Sequence, residues 1–93
     1  MRFTAHLRAV LDAPPIDALA PEVGALLMVE PLTSFPRPGL RIRIGERKAN
    51  VLSIIPYDEF FDPNYEGCVG LAVDEHGLEA EGLTGAFIVE TSP

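Results

Sequence analysis

The stretch LRIRIGERKANVLSII, residues 40–55, decides the fold class of this chain. Apolar residues alternate with arginines over residues 40–44, which is the period-two pattern of a strand with one buried face. Residues 45–48, Gly-Glu-Arg-Lys, are typical of a turn, and residues 50–55 are typical of a second, apolar strand. The stretch therefore predicts a β-hairpin whose arginines face outward.

Strand patterns recur on both sides of this hairpin. Residues 3–9 alternate, with Phe3, Ala5, Leu7 and Ala9 on one face. Residues 68–74 place larger and smaller apolar side chains on opposite faces, and residues 86–90 form a last apolar strand. Residues 23–29 are apolar apart from Gly24, which is typical of a buried strand or a short helix, and their length favours a strand.

These signals predict a mainly β fold. Six short strands without a long helix indicate a small six-stranded antiparallel β-barrel, or a small sandwich, with at most one short helical turn. Residues 16–20 are the candidate for that turn. We expect a single domain over residues 1–93.

Length and composition bound the class of protein. Of 93 residues, 47% are hydrophobic and 23% charged, which indicates a folded domain despite the net charge of -7. The longest apolar run, residues 25–29, is far shorter than the roughly 20 residues of a membrane-spanning helix, so we expect no membrane partner. Cys68 is the only cysteine and excludes an internal disulfide. Together with an N-terminal segment that lacks a continuous apolar run, it favours a cytoplasmic protein.

Charge is unevenly distributed along the chain. Residues 37–48 carry five basic side chains and one acidic one, whereas residues 58–90 carry nine acidic side chains and no basic one. The hairpin cations are candidates for binding an anion, a phosphate backbone or an acidic stretch of a second copy, and the alternative is a solvated outer face. These anion-binding candidates are Arg41, Arg43, Arg47 and Lys48.

The stretch from residue 57 to residue 66, which we call the acidic aromatic stretch, is the second candidate site. Four of the chain's seven aromatic residues fall within nine positions here, next to four acids. An apolar anchor with an acidic rim suits a basic protein partner, and the alternative is that the phenylalanines plug one end of the barrel. The protein-binding candidates are Tyr57, Asp58, Glu59, Phe60, Phe61, Asp62, Tyr65 and Glu66.

Other reactive side chains give weaker signals. His6 and His76 have no metal-ligand spacing, and the acidic turn around Asp74 lacks the spacing of a calcium loop. Cys68 has no recognisable base beside it in sequence and is expected to be a small core residue. We therefore expect no cofactor, no metal and no enzymatic activity.

Four short segments carry a family resemblance: RFTAHLR at residues 2–8, PGLRIRI at 38–44, GCVGLAV at 67–73 and GAFIVE at 85–90. In this order they resemble the C-terminal six-stranded β-barrel of elongation factor Tu and its small stand-alone relatives. The resemblance implies a barrel that contacts RNA or other proteins. The sequence holds no phosphate-binding loop of the GTPase type, so GTP hydrolysis does not carry over.

The sequence thus predicts a non-catalytic protein-interaction module. The expected partner is another protein or a second copy of the chain. The alternative is an accessory domain that binds an anion or RNA through the basic hairpin from Arg41 to Lys48.

Overall fold

The computed structural model describes residues 2–12, 22–56 and 63–91, which contain six strands. The strands are β1 (Thr4–Asp12), β2 (Ala25–Pro31), β3 (Arg41–Ile44), β4 (Arg47–Ile55), β5 (Val69–Val73) and β6 (Phe87–Glu90). Each strand is antiparallel to its neighbours, and the order β1-β2-β5-β4-β3-β6 closes into a barrel. The predicted six-stranded antiparallel barrel is confirmed.

Two Greek keys build this barrel. β3, β4 and β5 follow one another as neighbours, and β6 then returns past them to lie beside β3. β2 lies beside β5 in the corresponding way. β6 closes the ring on β1, where Ala5 is paired with Ile88. The closure sets the outer faces of β4, β3, β6 and β1 side by side.

Alternate residues of the strands fill the barrel interior. On β3, exposed and buried residues alternate strictly, as the sequence predicts. Burial of an isoleucine side chain such as Ile42 or Ile44 contributes about 1.5–3 kcal/mol to folding. This packed interior fixes which side chains face outward. Its large, fully buried side chains include Phe3, Leu7, Leu27, Ile42, Ile44, Leu71 and Ile88.

A β-bulge interrupts β1 between Leu7 and Ala9. The extra residue, Arg8, shifts the alternation by one position. As a result Val10 packs against the interior, while Ala9 packs against a separate cluster on the outside. The expectation that Ala9 continues the inner face is therefore wrong.

A second apolar cluster lies on the outer surface of β2 and β5. Leu26, Met28, Cys68 and Ala72 are buried there, and Tyr65 packs against them. β2 thus has both faces buried, which explains why this part of the sequence is continuously apolar rather than alternating. The predicted strand is confirmed, and the helix alternative is wrong.

The β3–β4 hairpin turns over only two residues, Gly45 and Glu46. Gly45 has a φ of 60°, in the left-handed region that glycine adopts without a Cβ clash. The predicted turn over residues 45–48 is therefore too long, because Arg47 and Lys48 already belong to β4. Successive strand residues point to opposite faces, so the short turn separates these two side chains.

The described ranges contain no α-helix. Two single 3-10 turns, Pro63–Tyr65 and Leu78–Glu81, precede β5 and β6. Leu78 is fully buried against the interior and anchors the connection between β5 and β6. The helical turn predicted over residues 16–20 lies outside the described residues.

Candidate functional site

Three cationic side chains share one outer face of the β3–β4 hairpin. Arg43 is paired directly with Lys48, and Arg41 is paired with Asn50. The inward positions between them are buried, so both arginines and the lysine face outward and are exposed. We call Arg41, Arg43 and Lys48 the basic face. It brings together three of the four anion-binding candidates that the sequence predicts.

Arg47, the fourth candidate, lies elsewhere. It is paired with Ile44 and therefore faces the other side of the hairpin. Its guanidinium forms ion pairs with Glu75 (3.2 Å) and Glu81, and donates to the backbone carbonyl of His76 (2.7 Å). Because its donors are committed to neighbouring acceptors of the chain, Arg47 does not belong to the basic face.

Arg43 and Lys48 have no carboxylate partner among the described residues. Cross-strand partners have Cβ atoms about 5 Å apart, and like charges placed there repel each other. The chain has 14 acidic residues and only seven basic ones, yet the ion pairs of the described part go to Arg37 and Arg47. The basic face therefore holds a concentrated positive charge within a chain of negative net charge.

Asn50 connects the basic face to Asp74. Arg41 Nε donates to Asn50 Oδ1 at 3.2 Å, while the backbone N–H and the side-chain amide of Asn50 donate to the two Asp74 oxygens at 2.8 Å each. Partial burial acts to raise the pKa of Asp74, but the hydrogen bonds from Asn50 and the charge of Arg41 outweigh it and lower this pKa below its usual range. Asp74 is thus a fixed anion behind Arg41.

Grooves adjoin the basic face, and two of them include Lys48. The larger of these two, of about 520 Å³, crosses from Lys48 of β4 over β3 and β6 to the start of β1, and we call it the β6 groove. The smaller, of about 360 Å³, lies toward β5, where Asp74 and Glu75 form part of its wall. Lys48 borders both grooves. The β6 groove is lined by Arg2, Thr4, Arg43, Lys48, Val89, Glu90 and Thr91.

Glu90 is the carboxylate in the lining of the β6 groove. It accepts a hydrogen bond from the Phe3 backbone N–H at 2.9 Å and forms an ion pair with Arg37 at 3.4 Å. The Phe3 N–H, with help from the charge of Arg37, lowers the pKa of Glu90 below its usual range. The negative charge of Glu90 is therefore compensated by groups other than Arg43 and Lys48.

Exposed apolar side chains flank the basic face. Val89 is paired with Arg43 on one side and Thr4 on the other, and Phe87, two positions earlier, faces the same way. The Phe87 side chain is 65% exposed and lies beside the His6 ring, with ring centroids 5.6 Å apart. Leu32, 51% exposed, follows β2 and donates its N–H to the Thr4 carbonyl. This outer face is therefore both basic and apolar.

The sequence does not predict Phe87, Leu32, Arg2 or Asn50 as site residues. Phe87 precedes the inward-facing Ile88, so strand alternation places Phe87 on the outer face. This alternation is its only signal in the sequence. Asn50 faces Arg41 across the β3–β4 hairpin, and Arg2, which precedes β1, lines the same groove as Arg43 although it is far from it in the chain. Such neighbours cannot be read from a pattern confined to one strand.

The acidic aromatic stretch falls mostly beyond what the structure describes. Its candidates Tyr57, Asp58, Glu59, Phe60, Phe61 and Asp62 lie outside the described residues. Tyr65 is half-buried against the outer apolar cluster, whereas Glu66 is exposed. Of the two that are described, Tyr65 contributes to packing and Glu66 lies at the surface.

The remaining reactive residues occupy ordinary surroundings. Burial raises the pKa of the Cys68 thiol, so the protonated form is favoured. His76 is exposed, and its backbone carbonyl accepts from Arg47. Across residues 2–12, 22–56 and 63–91, no three His, Cys, Asp or Glu side chains are grouped so that they could hold a metal ion.

The fold and site together define a closed Greek-key β-barrel with a basic and apolar outer face. Comparison with protein-family models, curated proteins and solved structures gives no match. In the part of the chain that the structure describes, no helix is long and apolar enough to cross a membrane.

Proposed function

We propose that this barrel is a non-catalytic protein-interaction module that binds a short acidic segment of a partner protein on the outer face of β3, β6 and β1. The observation that carries the proposal is the position of Phe87, exposed on the same face as Arg43 and Lys48, which lack a carboxylate partner among the described residues. Exposed aromatic side chains and arginines are enriched at interface hot spots.

Barrel closure restricts how a partner can bind here. β3 and β6 each have a neighbour on both sides, so they offer no open edge to an added strand. A partner must therefore be recognised by outward side chains. On this face those side chains offer positive charge and apolar area, which complement an acidic segment containing aromatic or aliphatic residues.

The net charge of -7 favours a short segment over a long polyanion. Charges more than about 8 Å apart are largely screened at physiological ionic strength, so the acidic remainder of the chain opposes a short acidic segment only weakly. A long polyanion extends beyond the basic face and meets the acidic surface. The partner can be another protein or a second copy of this chain.

A synthetic peptide with the sequence of residues 57–66, YDEFFDPNYE, is a suitable probe because it combines acids with aromatics. We expect fluorescence anisotropy to give a Kd of about 10–100 μM that weakens with added salt. Arg43→Gln and Lys48→Gln together should weaken binding at least tenfold, and Phe87→Ser several-fold.

Arg8→Gln is the matched control, because Arg8 is an exposed cation at the β1 bulge, outside the lining of the β6 groove. A second control peptide has Asn or Gln in place of each acid. Equal binding of this amide peptide, or unchanged binding by the Arg43→Gln, Lys48→Gln double variant, would refute the proposal. Light scattering at low and high salt then distinguishes a second copy from a foreign partner.

A second candidate function is RNA binding by the same face. Arg41, Arg43 and Lys48 present their charges together, and exposed Phe87 offers a stacking surface for a base. Anisotropy with a short single-stranded RNA tests it: binding should fall steeply with salt, and replacement of Arg41 and Arg43 by Ala should reduce the salt slope. Salt-insensitive binding would exclude this function.

We further propose that the chain acts in the cytoplasm and is related to the C-terminal barrel of elongation factor Tu. A single cysteine, Cys68, buried and without a disulfide, supports a reducing compartment. The proposed relationship is supported by the four sequence segments that resemble that family. The barrel fold itself adds little support, because closed barrels serve many unrelated functions.

A further inference from the structure

The β6 groove places Arg43 and Lys48 on a shared wall, and Arg2 also lines it. Two like charges on directly paired strand positions oppose folding locally. The carboxylate in the lining, Glu90, is ion-paired with Arg37 rather than with these cations, and Glu75 and Glu81 are ion-paired with Arg47. A pair of cations kept together in this way has the chemistry of a site for an external anion.

The donors in this groove suit an anion with several oxygens. Arg43 carries five N–H donors and Lys48 three, more than a single carboxylate can use. The two threonine hydroxyls nearby are engaged: Thr4 donates to Thr33 Oγ1 at 3.2 Å, and Thr91 donates to the Arg41 carbonyl at 3.3 Å. Arg43 and Lys48 are therefore the donors that an incoming anion meets.

We propose that the β6 groove binds a phosphoryl group carried by the acidic segment of the partner protein. A phosphoryl group brings about 1.5–2 negative charges and three strong acceptor oxygens, which match the paired Arg43 and Lys48 better than one carboxylate does. The volume of about 520 Å³ accommodates the group together with flanking residues. This inference rests on the proposed function, because the exposed Phe87 and Leu32 favour a protein carrier.

The first experiment uses the intact chain and inorganic phosphate, followed by the backbone amide chemical shifts of residues around the groove. We expect saturable shifts at Arg43, Lys48 and Thr91 with a Kd of about 1–10 mM. Arg43→Gln should weaken phosphate binding about tenfold, whereas Arg8→Gln should change it less than twofold. Arg43→Lys should bind with intermediate affinity, since it keeps the charge but loses the fork geometry.

Acetate at matched ionic strength is the control for a single negative charge. Equal shifts with acetate and phosphate, or equal phosphate binding by Arg43→Gln and the parent chain, would overturn the inference. The variants are compared only after their circular dichroism and unfolding curves show a folded barrel. All three substitutions are at exposed outward positions, so folding should be retained.

The second experiment compares an acidic peptide containing one phosphoserine with its unphosphorylated twin and with a short single-stranded RNA. The phosphopeptide should bind about tenfold more tightly than its twin, and Arg43→Gln should remove this difference. Preference for the RNA over the phosphopeptide would overturn the protein carrier. Binding of both peptides with equal affinity would refute the phosphoryl site and leave the proposed function standing. Binding of inorganic phosphate without either peptide would refute the proposed function and the protein carrier with it, and would leave only an anion site in the groove.

Discussion

Asn50 and Asp74 hold Arg41 of the basic face in place through a chain of hydrogen bonds. Asp74 accepts two hydrogen bonds from Asn50, which in turn accepts from Arg41. We expect Asp74→Asn to lower the free energy of unfolding by about 1 kcal/mol at pH 7, because a charged acceptor is lost at a partly exposed site.

The effect should depend on pH in a defined direction. The pKa of Asp74 is lowered in the folded state, so its stabilising contribution is present above its unfolded pKa of about 3.9 and is lost as the pH falls through the lower folded value. Urea unfolding at pH 7 and pH 3 should therefore show a smaller difference between parent and variant at pH 3. Glu46→Gln, in the exposed turn, is the control. A difference that is the same at both pH values would contradict this account.

Gly24 is a position where a single added carbon atom should lower the stability of the barrel. A Cβ added there would lie 2.4 Å from the Glu75 carbonyl oxygen, so backbone must move. We expect Gly24→Ala to destabilise the barrel by about 3 kcal/mol. Gly45→Ala should cost only about 1–2 kcal/mol, because there only the positive φ opposes a side chain, and its nearest neighbour, Leu83 Cδ2, is 3.9 Å away. Thermal unfolding of both variants measures which loses more stability. A larger loss for Gly45→Ala would show that the backbone around Glu75 moves away from the added Cβ at little cost.

At the scale of elements, the β3–β4 hairpin shows what the sequence could predict. Strict alternation correctly gave its inward Ile42 and outward Arg41 and Arg43, because the period of a strand is a local property. The two-residue turn was missed, since Gly45-Glu46 is not one of the strongest short-turn pairs. That error grouped Arg47 with the basic face. The apolar flank was missed because Phe87 shares a face with Arg43 only once β6 is paired with β3.

Arg47 has instead become a link between elements. It joins the start of β4 to the segment from Glu75 to Glu81 through two acids and a backbone carbonyl. We expect Arg47→Gln to reduce stability by about 1–2 kcal/mol and to speed amide exchange at Ala80, whose N–H donates to Gly77 within that segment.

Arg37→Gln is the matched comparison for this link. Its ion pair with Glu90 has a single acceptor, and the Arg37 side chain is 64% exposed against 29% for Arg47. Exposed pairs of this kind typically contribute about 0.2–1 kcal/mol. Equal losses for the two variants, measured by urea unfolding, would show that the contacts of Arg47 are no stronger than those of a surface pair.

At the scale of the whole molecule, the site depends on barrel closure. β6 has only four residues, yet it pairs with both β1 and β3 and so brings Thr4 and Phe87 to the same face as Arg43. The charge asymmetry along the sequence becomes a spatial asymmetry through this closure. A chain with negative net charge can thereby present one basic face without needing a basic domain.

Ile88 is the residue on which closure most depends. It is fully buried at the point where β6 meets Ala5 of β1 and Ile44 of β3. Ile88→Ala should lower the free energy of unfolding by about 2–5 kcal/mol, a large share of the 5–15 kcal/mol typical of a small domain. Val89→Ala, one position along on the outer face, should cost less than about 1 kcal/mol. Urea unfolding measures both, and an unchanged m-value would show that the barrel still unfolds as one unit. A loss below 1 kcal/mol for Ile88→Ala would mean that the barrel holds together without the packing of β6, and the β6 groove should then survive in that variant.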